Sequence, residues 1–224
     1  MLIQGRDILQ ALIKRKILQL YHANSITTSC GYLTQGALLS RGEVERRGLI
    51  QTPQISDQKD RELGIWNFIF LDFVDIHKRA KRPNKYGPVL FVFDVLKMDW
   101  ARINQAMISK KNAMFWNISD PWNDLAYADA QEFERDYQPG DFRCSLILKE
   151  PGNILPLSPA LLRVTVDDPA FKGLQRTSYM NALQTLRYCA QSVGLSENVV
   201  QRRLCDSSCD CVYSYQSDPT LFKA

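Results

Sequence analysis

The stretch VLFVFDV, Val89 to Val95, decides the reading of the fold: it is apolar at almost every position and is the clearest buried strand in the chain. Working upstream, IWNFIFLDF (65–73) is aromatic and β-branched and predicts a second strand. A basic helix or loop, HKRAKRPNK (77–85), ended by Pro83, joins the two. LQLYH (18–22) predicts another strand. Before it, RDILQALIKRKI (6–17) places Ile8, Leu9, Leu12 and Ile13 on one helical face. Asn24 or Ser25 caps a helix expected from about Ile26 to Ser40. Residues 41–64, punctuated by Gly42, Gly48, Pro53 and Gly64, read mostly as loop.

Downstream of Val95, DWARINQAMISK (99–110) predicts a helix capped by Asp99. AMFWNI (113–118) predicts a strand and LAYADAQEFERDY (125–137) a helix. FRCSLIL (142–148) and LLRVTV (161–166) are expected to be paired strands. Helices follow from Ser178 to Ser192 and from Glu197 to Leu204, ahead of an irregular tail. Strands and helices mix without strict alternation, so the expected class is α+β.

The 224 residues are 45% hydrophobic and 23% charged, with 11 Gly and 10 Pro, which excludes a disordered or low-complexity chain. No apolar run approaches the ~20 residues needed to span a bilayer; Ile65 to Ile76 is interrupted by Asp72 and Asp75. The N-terminal stretch mixes charge with apolar residues, unlike a secretory leader. The expectation is a soluble, cytoplasmic protein with no membrane partner. A net charge of +4 permits a nucleic-acid partner without requiring one.

His22 and His77 are the two histidines, so serine-type triads and His-rich metal sites are nearly excluded. The chain carries no GxGxxG, Walker or HExxH sequence. What remains is an ordered series: Tyr21-His22 on a strand, a helix leading to Gly36-Ala37-Leu38-Leu39-Ser40-Arg41, the aromatic strands NFIFLDF and VLFVFDV, and then FRCSLIL and LLRVTV. This order resembles the ADP-ribosyltransferase superfamily, and most closely its nucleic-acid-targeting toxins of the DarT and CmdT types. The resemblance spans roughly residues 18–168. It implies mixed small sheets of a transferase-like core with peripheral helices over 1–168, and a helical extension of the same domain over 169–224.

The resemblance also implies NAD as co-substrate and a nucleic-acid base as acceptor. It further implies a toxin or phage-defence role with a protein antitoxin as partner. It assigns His22 to a ribose hydroxyl, Phe68 or Phe70 to the wall of the nicotinamide, and Ser25, Tyr32 and Arg41 to cofactor binding. Phe68 and Phe70 would share one strand face. A carboxylate is required to stabilise the oxocarbenium character that develops as the glycosidic bond of NAD breaks. The family carries a glutamate at the head of a late apolar strand; here that place is Ser145. Glu150, five residues on, is the expected catalytic carboxylate, although reaching the same face requires a bulge or a shifted register. Glu132 and Glu134 are expected on a helix and fit less well. Three alternatives remain open: a catalytically inactive module of the same fold binding nucleic acid or a protein, the RNA 2′-phosphotransferase branch, and a zinc-stabilised adaptor that uses the C-terminal cysteines.

The cations Lys78, Arg79, Lys81, Arg82 and Lys85 are either a solvated face or a phosphate-contacting surface. Trp66, Trp116 and Trp122 are core residues or base-stacking platforms. Arg46 and Arg47 join Arg41 as candidates for a pyrophosphate. Asp72 reads as a cap or turn residue and His77 as solvent-facing. Cys205, Cys209 and Cys211, with Cys189 upstream, could hold a structural zinc. The paired CxxC knuckles are absent, so free thiols and no metal are the expectation.

Overall fold

The structure, a computed structural model, describes residues 2–80, 83, 86–149 and 153–222. Its strands are β1 Ile3–Gln4, β2 Gln19–Asn24, β3 Ala37–Leu39, β4 Ile69–Asp72, β5 Val89–Asp94, β6 Gln105–Ile108, β7 Ser145–Leu148, β8 Ile154–Pro156, β9 Leu161–Asp168 and β10 Val200–Leu204. Eight of them form one mixed sheet in the order β1-β6-β7-β4-β2-β5-β9-β10, and β3 pairs with β8 separately. The fold is α+β. All neighbours in the large sheet are antiparallel except β9 and β10.

The apolar run of β5 is buried on both faces because it lies inside the sheet. Alternation sends Val89, Phe91 and Phe93 into the main core, with Ile8 and Leu12 of the Gly5–Lys14 helix and Tyr179, Leu183 and Leu186 of the Gly173–Gln191 helix. Leu90 and Val92 face the other way and pack on Ala23. In β4 the same alternation buries Ile69 and Leu71 and leaves Phe70 and Asp72 half-buried on the opposite face.

Strand β2 pairs with β5 over its whole length, from Gln19 opposite Asp94 to Asn24 opposite Val89. It meets β4 only at Tyr21 opposite Asp72. Beyond that pair the two strands part, and a seam opens in the sheet.

Several sequence expectations give way. The helix from Ile26 ends at Thr34, because Gly36 takes a left-handed conformation (φ +60°) that closes it. Ala37–Leu39 then forms β3. Ser40 caps a new helix, Arg41–Arg46, inside the stretch read as loop, and Asp57–Glu62 adds another. Only Ile69–Asp72 of 65–73 is strand. The 99–110 helix stops at Ile103, where Asn104 adopts φ +48°, and Gln105–Ile108 becomes β6 between β1 and β7. Residues 113–115 form a short 3-10 turn rather than a strand. Helices at Trp122–Leu125 and Ala130–Asp136 replace one continuous helix. FRCSLIL and LLRVTV do not pair: β4, β2 and β5 lie between them. Val200–Leu204 is an edge strand, parallel to β9, and Asp210–Ser217 is a helix within the stretch read as an irregular tail. No helix among the described residues is long and apolar enough to cross a membrane.

Gly87 (φ +140°) lies so close to the end of β2 that a Cβ there would sit 2.4 Å from the Asn24 carbonyl oxygen and 2.6 Å from the Ser25 nitrogen. Gly48 (φ +64°) faces open space. Gly87→Ala should therefore destabilise the fold by at least about 3 kcal/mol, from overlap plus strain. Gly48→Ala should cost about 1–2 kcal/mol from strain alone. Urea unfolding of the two variants beside the parent checks the order; equal losses would remove the close approach at Gly87.

Candidate functional site

The seam between β2 and β4 widens into a cleft of about 930 Å³, its open mouth included. His22, Tyr32, Arg41, Phe68, Phe70 and Asp72 all line it, joined by Ser145 and Trp66. Leu20 belongs to the main core, so alternation turns His22 toward the same side, where its ring lies 5.9 Å from that of Tyr32. Phe70 and Asp72 approach from the other side of the sheet.

His22 Nδ1 lies 2.9 Å from the Phe70 carbonyl oxygen and so carries the proton that it donates there. Burial lowers the His22 pKa to about 4, so the ring is neutral near pH 7. Its Nε2 is left as an acceptor, with Asn24 Nδ2 at 3.4 Å. Asn24 Oδ1 accepts from the Ser25 backbone N–H at 2.9 Å, which fixes the orientation of the amide, and Asn24 Nδ2 donates to Tyr32 Oη at 3.2 Å. Phe68 and Phe70 are half-buried against the second cluster around Trp116 and Ile147, presenting ring surface to the cleft.

Arg41 is the first residue of the helix that Ser40 caps, with the Ser40 hydroxyl accepting from Glu43 N. Its Nη2 donates to Asp57 Oδ2 at 2.7 Å and to the Thr52 carbonyl at 3.1 Å, and the guanidinium lies 5.1 Å from the Trp66 ring. Its Nε is buried and has no hydrogen-bond partner among the described residues. Such a donor is what an anionic group in the cleft would satisfy.

Two carboxylates line the cleft, both raised in pKa by burial: Asp60, whose Oδ2 accepts from Ser56 Oγ at 2.8 Å, and Asp72. Asp72 ends β4 directly opposite Ser145 of β7, and Ser145 Oγ donates to Asp72 Oδ1 at 3.0 Å. Burial raises the Asp72 pKa to about 6, with the Ser145 hydrogen bond acting the other way. Reading Asp72 as a cap or turn residue is therefore corrected. Asp72 lies two residues beyond Phe70 on the same face of β4, and that alternation was the available signal.

Ser25 is brought near the site but not into it. It caps the Ile26–Thr34 helix and shares its hydroxyl with Thr28 and with Thr52 Oγ1 at 2.7 Å, away from the cleft lining. Arg46 and Arg47 bind buried Glu43 instead of facing the cleft. Trp116 is buried, while Trp66 is the tryptophan that lines the cleft. Glu132 and Glu134 are helical and pair with Lys110 and Lys14. Lys78 and Arg79 are exposed on the Ile76–Ala80 helix. Glu150, Lys81, Arg82 and Lys85 lie outside the described residues.

Because Asp72 ionises near 6 in the fold and ~3.9 in an unfolded chain, its charge opposes folding. That opposition is absent below the unfolded pKa, grows as pH rises between the two values and is complete above the folded one. Asp72→Asn should therefore stabilise the protein by about 1–3 kcal/mol at pH 7.5 and by much less at pH 4.5, as read by denaturant titration. A variant equally or less stable at both pH values would show that Asp72 carries no such burden. No protein-family model matches the chain, and no curated protein matches it either.

Proposed function

We propose that the protein is an NAD-dependent ADP-ribosyltransferase that modifies a nucleic acid. One observation carries the reading. A neutral histidine acceptor, an aromatic wall, an arginine with an unsatisfied buried donor and a carboxylate that resists its own charge meet in one cleft. NAD would supply the transferable group: its bond from C1′ to nicotinamide breaks, nicotinamide leaves with the electron pair, and a nucleobase atom bonds C1′.

The chain's own groups divide that work. His22 Nε2 accepts from a ribose hydroxyl while Phe70 O holds the ring and its tautomer. Phe68 and Phe70 flank the nicotinamide, and Arg41 faces the pyrophosphate. Asp72, ionised, stabilises positive charge at C1′ in a site where solvent screens little. Ser145, at the place of the family's glutamate, orients Asp72 through the 3.0 Å hydrogen bond. The function of the expected glutamate is thereby moved one strand sideways. Exposed Lys78 and Arg79 offer phosphate contacts on the segment that leads to Tyr86 at the cleft. A toxin or phage-defence role with a neutralising protein partner accompanies this reading through the resemblance alone.

The test is incubation of the full chain with NAD labelled in its adenylate part and separate pools of DNA, RNA and protein. Label should pass to a nucleic-acid pool with release of nicotinamide. His22→Ala and Asp72→Asn should each lower transfer by roughly 100-fold or more. The rate should fall as pH drops through about 6, where Asp72 takes up its proton. Loss of transfer in Glu150→Gln with activity retained in Asp72→Asn would return the carboxylate role to Glu150. NAD binding without nicotinamide release would leave a binding module in place of the enzyme.

A further inference from the structure

The C-terminal cysteines converge on His77. Cys205 follows β10, Cys209 caps the Asp210–Ser217 helix, and Cys211 lies in that helix's first turn. The ligand atoms of His77, Cys205 and Cys211 all lie within 4.8 Å of one another, and Cys209 Sγ is 3.3 Å from His77 Nε2. All four residues are buried. Cys189, the fourth ligand considered from sequence, belongs elsewhere: its thiol faces Cys30. His77 is buried at 6% exposure, not solvent-facing.

We propose that His77, Cys205, Cys209 and Cys211 form a structural zinc site. Three thiolates and one imidazole are a complete tetrahedral set, which leaves no open position for catalysis. With Zn–S near 2.3 Å and Zn–N near 2.0–2.1 Å, a tetrahedron has ligand-to-ligand edges of roughly 3.5–3.8 Å. The Cys209–His77 separation of 3.3 Å is on that scale, and the His77, Cys205 and Cys211 ligand atoms lie within 4.8 Å of one another, so a modest contraction closes the set. The surroundings match as well. His77 Nδ1 lies 2.6 Å from Asp167 Oδ2, so Nε2 is the nitrogen turned toward the sulfurs. A carboxylate behind a histidine in this way fixes tautomer and ring orientation at zinc centres. Asp167 is itself held by Arg203 at 2.7 Å, and Cys209 Sγ accepts from the Cys211 backbone N–H at 3.4 Å. Three thiolates and Zn²⁺ leave one net negative charge, and the Arg203 guanidinium lies beside the cluster, 3.1 Å from His77 Nδ1.

The metal would join the two ends of the fold. His77 lies on the Ile76–Ala80 helix just after β4, and the sulfurs come from the last described elements of the chain. The ion would fasten β10 and its helix to the segment that runs from the cleft's Asp72 to its Tyr86.

The experiment is elemental analysis of the full chain purified without chelator, followed by exchange into Co²⁺. The expected result is about one zinc per chain and, after exchange, the thiolate-to-cobalt charge-transfer absorption of a tetrahedral sulfur-rich site. Cys211→Ala and His77→Ala should lose the metal. Should either fail to fold, His77→Cys, which restores a four-ligand set, should keep it, and Cys30→Ser, outside the cluster, should leave the stoichiometry unchanged. Protein that arrives without stoichiometric metal and takes up neither Zn²⁺ nor Co²⁺ overturns the proposal. So does a disulfide within the cluster in freshly purified reduced protein, or full zinc content in Cys211→Ala.

Discussion

The site depends on one hydrogen bond that stands where a sheet ladder would otherwise continue. β2 and β4 share a single residue pair, Tyr21 opposite Asp72. One residue further along β2, His22 reaches across with its ring and donates to the Phe70 carbonyl. A side chain thus satisfies a backbone acceptor that a neighbouring strand would have taken. The strands stay tethered while they part, and the parting makes the cleft. The same bond fixes which ring nitrogen is left to accept. Burial keeps the ring neutral, so the acceptor persists at physiological pH. Geometry, tautomer and opening all follow from one residue being histidine.

The carboxylate illustrates how register carries chemistry. Ser145 and Asp72 are 73 residues apart in sequence, yet antiparallel pairing sets them side by side with their oxygens 3.0 Å apart. Either strand can therefore present a carboxylate to nearly the same place. The cost of placing it on β4 is visible as a raised pKa, the mark of a charged group retained against the interest of stability. Glu43 shows the opposite behaviour: gripped by Arg46 and Arg47, it is held down to about 2.

What was legible in the sequence was what local pattern controls. The apolar run of β5, the amphipathic first helix and the strand bearing Tyr21-His22 follow from composition and period, and their order brought His22, Tyr32, Arg41, Phe68 and Phe70 to notice together. The misread segments were those whose state is set by distant partners. Gln105–Ile108 is polar at its start and weakly patterned, and becomes strand because β1 and β7 flank it. Ala37–Leu39 continues a helical pattern until Gly36 breaks it and Ile154–Pro156 pairs with it. Val200–Leu204 carries two arginines and reads as helix. It is an edge strand because Arg202 and Arg203 bind Asp168 and Asp167 of the strand beside it. Asp72 and His77 were misjudged for a related reason: the partners that hold them, Ser145 and Asp167, are 73 and 90 residues away in sequence.

Those two arginines show why the C-terminal residues matter to a cleft they do not line. Asp167 is the shared anchor: it accepts from Arg203 on β10, from His77 after β4 and from Tyr215 in the Asp210–Ser217 helix. Asp168 beside it accepts from Arg176 and Arg202. Both carboxylates are buried and each meets hydrogen-bond donors from more than one element, an arginine among them, the condition under which buried charge is tolerated. Removing any one partner leaves a buried negative charge short of a donor, so the elements are coupled in stability. The segment from His77 to Gly87 is held at both ends, by Asp167 at the first and by the close approach of Gly87 to Asn24 at the second. Asn24 is the residue whose amide contacts His22 and Tyr32. The two ends of that segment thus meet the buried carboxylates under the C-terminal strand on one side and, through Asn24, the acceptor nitrogen of the cleft on the other.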